Sequence, residues 1–383
     1  GKQGKFLRTA FFNFSNQDLT DFFQSHGLNL KTERQGRVFP VTDKAASVVE
    51  ILQETLLKKK IKILYNTRLK QLKIINKNIE KNETFRLKSA KIFQLCFDNK
   101  DEINAAKVIL TTGGASYSIT GSCGGCFEIA QNSGHTIIPL SPALVPLRTN
   151  RKWVKDLQGL TLKNVRITFE YSDKENDSND NIDVEIKKKS KKNKTNKIIS
   201  SIGEVLFTHF GISGPLVLDL SNEIVPLLEH KKVRALIDLK PGLTTEKLEQ
   251  RLLKDFKAKG KSQLKNVLKE LLPQRLILVF IKLLKLDASL QVSQITREQR
   301  AFMVKLLKAL PLTISGSLEL DKGMVTSGGI SIKEINARTM ESKIMPGLYF
   351  AGEIIDGSAP SGGYNLQQAF STGFLAGEGA LNA

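Results

Sequence analysis

The spacing of apolar and polar residues predicts alternating helices and strands along the first part of the chain. Apolar residues at helical spacing predict two helices, over 11–26 and 43–58, with Ser15 and Asp43 as their N-caps. Alternating residues predict a hairpin of two strands followed by three further strands, at 28–33, 37–40, 61–65, 84–97 and 108–110. This order of strands and helices is typical of a layered α/β domain.

The later part of the chain changes its pattern. Residues 141–240 predict short strands with many turns, whereas 246–310 predict helices, including a buried helix over 276–284. From Ile314 the short strands and glycine turns return, and 347–383 predict a strand, a loop and a final helix.

Length and composition predict a globular protein with a large core. The chain has 383 residues, of which 40% are hydrophobic and 25% are charged. It contains no run of about 18 uncharged apolar residues, the length needed to span a membrane, and no export signal at its start. Its three cysteines are too few for a disulfide framework, so we expect a reducing, cytoplasmic location.

The net charge of +20 raises the question of a nucleic-acid partner, because lysine side chains release counterions from phosphate. The lysines are scattered and few aromatic residues interleave with them, which favours a solvated basic surface over a nucleic-acid partner. Residues 171–198 carry acidic residues and then a lysine run, and we expect a mobile, solvated hairpin tip there.

Two glycine turns follow apolar strands. Thr112, Gly113 and Gly114 come directly after the strand at 108–110, where backbone N–H groups of a small-residue turn can approach a phosphate or a ring. Gly352, Glu353 and Asp356 follow a strand that ends at 351. A carboxylate after such a strand commonly accepts from ribose or ribityl hydroxyls, although a surface acid after a core strand is the simpler alternative.

A third glycine turn opens the last helix. Gly362 and Gly363 precede Asn365 and Leu366 in the sequence SGGYNLQQAF at 361–370. The free N–H groups at a helix start carry partial positive charge, which suits the pyrimidine edge of a reduced flavin. Each turn alone is weak evidence for a nucleotide site; three in this order are much more specific.

Longer motifs resemble the YhiN/BaiN-type flavoproteins, which are aminoacetone-oxidase-like NAD(P)/FAD-dependent oxidoreductases. They are GRVFP (36–40), TGGASY (112–117), TGS (120–122), GHT (134–136), PALVPL (142–147), LQGL (157–160), LFTHFGISGP (206–215) and GGYNLQ (362–367). The resemblance implies noncovalent FAD, with NAD(P)H as a further expected electron donor. It also implies a glutathione-reductase-like FAD-binding domain interrupted by a β-barrel domain and a small helical domain.

The resemblance predicts a division of the chain into segments. The FAD-binding domain takes 1–140 and 326–383, the barrel takes 141–242 and 312–325, and the helical domain takes 243–311. The family begins with a strand, a GxGxxG turn and a helix, and none of these occurs here. We therefore expect that the natural gene product has about 50–70 further residues before Gly1 carrying this unit. We expect residues 1–383 alone to hold FAD weakly.

A second departure from the family is the pair Cys123 and Cys126, where the family carries an acidic residue. A Cys-x-x-Cys pair can relay electrons in flavin-linked reductases. No thioredoxin-like context surrounds it, which favours two inert thiols in a tight turn and no metal site. If they are inert, replacing both with serine leaves flavin reduction and turnover nearly unchanged.

The leading hypothesis is an FAD-dependent oxidoreductase that transfers a hydride between flavin and a small organic substrate. His209, within 206–215, is a weak candidate proton donor, and a core histidine is the more common role. Two alternatives stay open: a flavin-dependent tRNA-modifying enzyme, and a non-catalytic remnant of the flavoprotein fold. The sequence gives no indication of the oligomeric state.

Overall fold

The structure is a computed structural model and describes residues 2–33, 36–76, 91–173 and 196–382. The chain divides into two compact units: the first comprises 1–141 and 324–383, and the second comprises 142–323. In the part of the chain that the structure describes, the helices are all too short or too polar to cross a membrane.

The first unit combines short sheets with helices. Its helices are α1 (Lys2–Asn13), α2 (Asn16–Ser25), α3 (Ala45–Lys58), α4 (Gly125–Asn132) and α10 (Tyr364–Asn382). Its strands are β1 (Leu30–Thr32), β2 (Val38–Pro40), β3 (Leu69–Asn76), β4 (Lys91–Phe97), β5 (Glu102–Ala105), β6 (Val108–Leu110), β7 (Ile137–Ala143), β14 (Val325–Ile330) and β15 (Leu348–Phe350). β1 pairs with β2, β14 with β7 and β15 with β6, while β3, β4 and β5 form a three-stranded sheet.

The predicted helix over 11–26 is two helices, α1 and α2. Ser15 is the N-cap of α2, as predicted. Its hydroxyl accepts from the Asp18 N–H while the Asp18 carboxylate accepts from the Ser15 N–H at 2.7 Å, a reciprocal capping box. The predicted helix is interrupted here because Ser15, the N-cap residue, has an extended backbone conformation, which a continuous helix cannot contain.

Two further predictions for this region were wrong. Asp43 does not cap α3: its φ is +55° and its carboxylate forms an ion pair with Lys31 Nζ at 2.7 Å, so Lys44 takes the cap position. Residues 61–65 form no strand. The predicted hairpin forms from β1 and β2, and β4 lies within the predicted strand at 84–97, of which 84–90 lie outside the described residues.

The first unit contains a parallel pair of strands, β6 and β15. Leu348 lies opposite Val108 and Phe350 lies opposite Leu110, and all three residues of β15 are buried. Hydrogen-bonding groups alternate sides along a strand, so the N–H and C=O of Ile109 face away from β15. Among the described residues β6 pairs with no strand except β15, and Ile109 is 38% exposed.

A buried histidine joins α4 to the loop before β15. His135 is 2% exposed; its Nδ1 donates to the Ala130 carbonyl at 3.2 Å, and its Nε2 accepts from the Ser342 hydroxyl at 2.7 Å. The backbone N–H groups of Ile344 and Met345 donate in turn to that hydroxyl oxygen. Burial lowers the pKa of His135, because a charged imidazolium is disfavoured away from water.

The lowered pKa of His135 predicts that the stability of the folded protein depends on pH. Below about pH 6.5 the unfolded chain binds a proton at His135 that the folded chain resists, so acidification favours unfolding. We expect the melting temperature of the wild-type protein to fall more steeply between about pH 7 and pH 5 than that of His135→Gln. Thermal denaturation at a series of pH values measures the two slopes, and equal slopes would contradict the prediction.

The second unit is built on a closed six-stranded barrel in the order β10, β11, β8, β13, β12 and β9. The strands are β8 (Leu147–Thr149), β9 (Thr161–Asp173), β10 (Asn196–Phe207), β11 (Gly211–Ser213), β12 (Lys231–Asp238) and β13 (Leu310–Ser317). The helices are α5 (Pro215–Leu228), α6 (Thr245–Ala258), α7 (Leu264–Val267), α8 (Gln274–Leu284) and α9 (Arg297–Lys308). The predicted buried helix over 276–284 is confirmed as α8, whose buried residues join the same apolar core as the barrel.

The predicted mobile tip over 171–198 lies mostly outside the described residues. At its base, β9 and β10 pair with Tyr171 opposite Asn196. The predicted boundaries between the barrel and helical domains stay predictions, because both belong to the second unit.

Candidate functional site

Two glycine turns lie at the carboxyl ends of the neighbouring parallel strands β6 and β15. Thr112 is exposed and Gly113 has a φ of +74° in the turn after β6, and Gly352 has a φ of +78° after β15. The Ala351 N–H donates to the Leu110 carbonyl at 3.1 Å, which extends the parallel pairing up to the turns. In open α/β sheets this edge, outside the carboxyl ends of the strands, is where ligands bind.

Hydrogen bonds among Glu353, Thr326 and Ser116 hold the two turns together. Glu353 Oε1 accepts from the Thr326 N–H at 2.7 Å and from the Ser116 hydroxyl at 3.3 Å. Thr326 Oγ1 accepts from the N–H groups of Ala115 at 2.8 Å and Ser116 at 3.0 Å, and Thr326 is fully buried. The carboxylate of Glu353, which was predicted to face a ligand, has at least one oxygen engaged in holding the protein's own turns.

Gly114 has a packing explanation that needs no ligand. A Cβ added at Gly114 would overlap Thr326 Oγ1 and Glu353 Oε1, so the turn can approach Thr326 only with glycine at this position. Glycine at position 114 therefore leaves room for Thr326, whose hydroxyl oxygen accepts hydrogen bonds from the turn that follows β6.

The third turn leaves open space at the start of α10. Gly362 and Gly363 are exposed and have φ values of +118° and +92°. No atom lies within 4 Å of a Cβ added at Gly363. The Gln367 N–H donates to the Gly363 carbonyl at 2.9 Å, which begins the helical ladder, so the preceding N–H groups have no carbonyl of the ladder to bind.

The side chain of Asn365 closes the loop in front of α10. Its Oδ1 accepts from the Ala359 N–H and its Nδ2 donates to the Ala359 carbonyl, both at 2.9 Å. The side chain of Asn365 thus binds the loop, and its backbone N–H lies at the helix start. Tyr364 and Leu366 expose 62% and 66% of their surface at the same helix start and supply apolar area beside its backbone N–H groups.

The first half of α10 is tied to the second turn. The Gly352 N–H donates to Thr372 Oγ1 at 2.9 Å, and a Cβ at Gly352 would lie 3.8 Å from the Ala369 Cβ. The structure thus brings all three glycine turns into the first unit. The open position at Gly363 and the N–H groups at the start of α10 are of the kind that suits the flat ring and anionic edge of a flavin.

Asp356, the second predicted carboxylate, is partly buried. Its backbone N–H donates to the Ile330 carbonyl at 2.9 Å, and Gln3 Nε2 contacts its Oδ2 at 3.5 Å. Burial raises the pKa of Asp356, and the contact with Gln3 opposes this only in part. The ionised carboxylate is therefore held in a place that disfavours its charge.

We expect Asp356→Asn to raise the melting temperature of the cofactor-free protein at about pH 7, because the uncharged amide loses the burial penalty. The folded pKa is raised, so the penalty is present at neutral pH and vanishes as the pH falls below about 3.9. The gain should shrink on acidification. Melting curves of the wild type and of Asp356→Asn at about pH 7 and at about pH 3.9 test this prediction. A variant less stable than the wild type at neutral pH would contradict the prediction.

His209 lies in the second unit, on the exposed turn between β10 and β11. Its ring packs edge-to-face with the ring of Phe210, and the two ring centroids are 4.9 Å apart. Its role as a proton donor stays a prediction. Within the described ranges, no three His, Cys, Asp or Glu side chains are grouped so as to hold a metal ion.

Sequence reasoning missed Thr326 as the residue that joins the first two turns. A signal was present: Thr326 opens the sequence TSGG at 326–329, which contains another pair of glycines. Gly328 and Gly329 have φ values of +91° and +126°, and a Cβ at Gly329 would lie 2.6 Å from the Ile354 carbonyl oxygen. The close approach of β14 to the second turn depends on Gly329.

These elements define an α/β protein of the Rossmann type that also contains a six-stranded barrel. The chain belongs to the family described as HI0933-like protein Rossmann domain, whose model matches residues 1–379. The resemblance inferred from the motifs is thereby confirmed.

The similar proteins are named either as a bile acid reductase or as ribosomal RNA dihydrouridine synthases. A 3-dehydro-bile acid delta(4,6)-reductase of Clostridium scindens is 28% identical over 381 residues, which is 99% of this chain and 84% of that protein. Ribosomal RNA dihydrouridine synthases of Haemophilus influenzae and Escherichia coli are each 28% identical. The matches cover 96% and 99% of this chain, and 80% and 82% of those proteins.

Proposed function

We propose that this protein is an FAD-dependent oxidoreductase that reduces a carbon–carbon double bond conjugated to a carbonyl group in a small organic substrate. NAD(P)H is the proposed electron donor. The proposed architecture is a glutathione-reductase-like FAD-binding domain, formed by the first unit, interrupted by the barrel and helical region of the second. The observation that carries the proposal is that three glycine turns, two of them at the carboxyl ends of paired parallel strands, lie in the first unit of a protein of this family.

The names of the relatives support the substrate class. A delta(4,6)-reductase acting on a 3-dehydro compound reduces double bonds conjugated to a ketone. A dihydrouridine synthase reduces the ring double bond of uracil, which is conjugated to a ring carbonyl. The two reactions differ in substrate size but share one chemistry, hydride addition to an electron-poor double bond.

The residues of this chain would hold the cofactor by backbone groups. The N–H groups at the start of α10, next to Gly362 and Gly363, would face the negative edge of the ring, and the turn at Thr112 and Gly113 would lie along it. Glu353, held by Thr326, would keep the two turns in register, and Asp356 would accept from a cofactor hydroxyl. When bound, FAD would supply the hydride.

The test is a spectral and kinetic one on the natural gene product. We expect the purified protein to show flavin absorbance, to be bleached anaerobically by NADH or NADPH, and to be reoxidised by an α,β-unsaturated cyclic ketone but not by its saturated analogue. Protein without flavin that also fails to bind added FAD would overturn the proposal and favour a non-catalytic remnant.

A second candidate substrate is uracil within RNA, which the net charge of +20 and the two dihydrouridine synthase relatives favour. The same reduced protein is incubated with a ribosomal RNA transcript at low and high salt. A gain of two hydrogens at a uridine, together with no reaction of the cyclic ketone, would replace the small-molecule substrate with RNA. The flavin chemistry of the proposal would stand.

A further inference from the structure

Two cysteines lie at the start of α4 in different environments. Cys123 is exposed and comes directly before Gly124, the N-cap residue of α4. Cys126 lies in the first turn of the helix, is 9% exposed and belongs to the apolar core of the first unit. An exposed cysteine before a helix and a buried one three residues later is the arrangement in which one thiol attacks and the other resolves.

An arginine contacts the exposed cysteine. Arg68 Nη2 donates to Cys123 Sγ at 2.9 Å. The backbone of Arg68 is fixed, because its N–H donates to Asp98 Oδ1 at 3.2 Å and its carbonyl accepts from the Asp98 N–H at 3.0 Å. A guanidinium is always charged, so this bond places a positive charge beside the Cys123 sulfur.

The third cysteine offers a contrast inside the same chain. Cys96 Sγ donates to Glu102 Oε1 at 3.7 Å, so its neighbour is an acceptor with negative charge rather than a donor with positive charge. Sequence spacing alone favoured inert thiols at positions 123 and 126, but it could not reveal Arg68, which is 55 residues away along the chain.

We propose that Cys123 and Cys126 form a dithiol–disulfide pair that exchanges with small disulfides, with Cys123 as the attacking thiol. The Cys123 thiolate attacks one sulfur of the small disulfide and forms a mixed disulfide, and the first small thiolate leaves. The Cys126 thiolate, after losing its proton to water, attacks Cys123 Sγ and expels the second small thiolate. Two protein thiols are oxidised by two electrons, the small disulfide is reduced to two thiols, and both protons end on those thiols.

The pair lies against one of the glycine turns. A Cβ added at Gly124 would lie 3.0 Å from the Ala115 Cβ, and one added at Gly113 would lie 3.2 Å from Ser122 Oγ. Closing the disulfide would therefore act on a segment packed against the turn after β6. The exchange itself requires no flavin and stands whether or not the proposed function is correct.

The experiment uses the reduced natural protein, oxidised glutathione, and mass spectrometry of the peptides that contain each cysteine. In the wild type we expect the 123–126 peptide to lose two hydrogens with no glutathione retained, while Cys96 stays a free thiol. Cys126→Ser should trap glutathione on Cys123, and Cys123→Ser should leave Cys126 unreacted. In the Cys126→Ser background, Arg68→Met should slow the formation of the adduct by about fivefold.

Lys73→Met is the matched control, because it removes a positive charge at an exposed position of β3, five residues after Arg68. It should leave the rate of adduct formation unchanged, and melting curves check that each variant is folded. A stable glutathione adduct on Cys123 of the wild type would overturn the proposal. So would absence of an adduct in Cys126→Ser, or equal rates for Arg68→Met and Lys73→Met.

Discussion

Gly363→Val is expected to weaken FAD binding by the natural gene product at least about 100-fold while the protein stays folded. Gly363 has a φ of +92°, which a β-branched residue does not adopt without strain. The new side chain would also enter the open space beside the helix start, where the ring is proposed to lie. Titration with FAD, followed by flavin fluorescence, measures the loss, and circular dichroism verifies the fold.

Two variants separate the causes of this effect. Gly363→Ala brings the backbone strain with a much smaller side chain, so it should bind FAD more tightly than Gly363→Val. Gly373→Ala lies in the middle of α10 with no atom within 4 Å of its added Cβ, and it should bind like the wild type. If Gly363→Val binds FAD within about threefold of the wild type, the predicted cofactor residues Gly362, Gly363, Asn365 and Leu366 lose their support.

Thr326→Val is expected to lower the free energy of unfolding of the first unit by about 2–4 kcal/mol. Valine fills the same volume but cannot accept from the N–H groups of Ala115 and Ser116, which would be left without their acceptor in a buried turn. The larger part of the loss is the cost of these unpaired donors rather than of the removed hydroxyl. Urea denaturation, followed by a probe in the first unit, measures the change.

Thr326→Ser keeps the hydroxyl and should retain most of the stability. Thr245→Val makes the same chemical change at an exposed position, the first residue of α6, and should alter stability by less than about 0.5 kcal/mol. A Thr326→Val protein as stable as the Thr245→Val protein would mean that other groups or water satisfy the two donors.

Local patterns predicted the elements that local forces determine. α8 was predicted because residues 276–284 form an almost continuous apolar run, and the cap at Ser15 was predicted because its bonds are to a residue three positions away. The glycine turns after β6 and β15 were predicted because glycine soon after an apolar strand is a clear sequence signature. Gly113 and Gly352 indeed have positive φ values. In each case the physical cause lies within a few residues.

The errors came from contacts between distant residues. Asp43 has the right chemistry for a helix cap, yet Lys31 on β1 holds its carboxylate, and the backbone at Asp43 has positive φ instead. The bond from Arg68 to Cys123 and those from Thr326 to Ala115 and Ser116 cross 55 and more residues of chain. No periodicity reports such pairs, because they depend on how the sheets assemble.

The open edge of β6 has a consequence for how the polypeptide behaves in concentrated solution. Ile109 presents an N–H, a C=O and a half-exposed apolar side chain at an edge that no described strand covers, and such an edge is a template for pairing with another chain. The charge of +20 keeps copies of residues 1–383 apart by repulsion at low ionic strength. Added salt shortens the range of that repulsion to about 3 Å at 1 M, so this polypeptide should remain dispersed in dilute buffer and self-associate as salt rises.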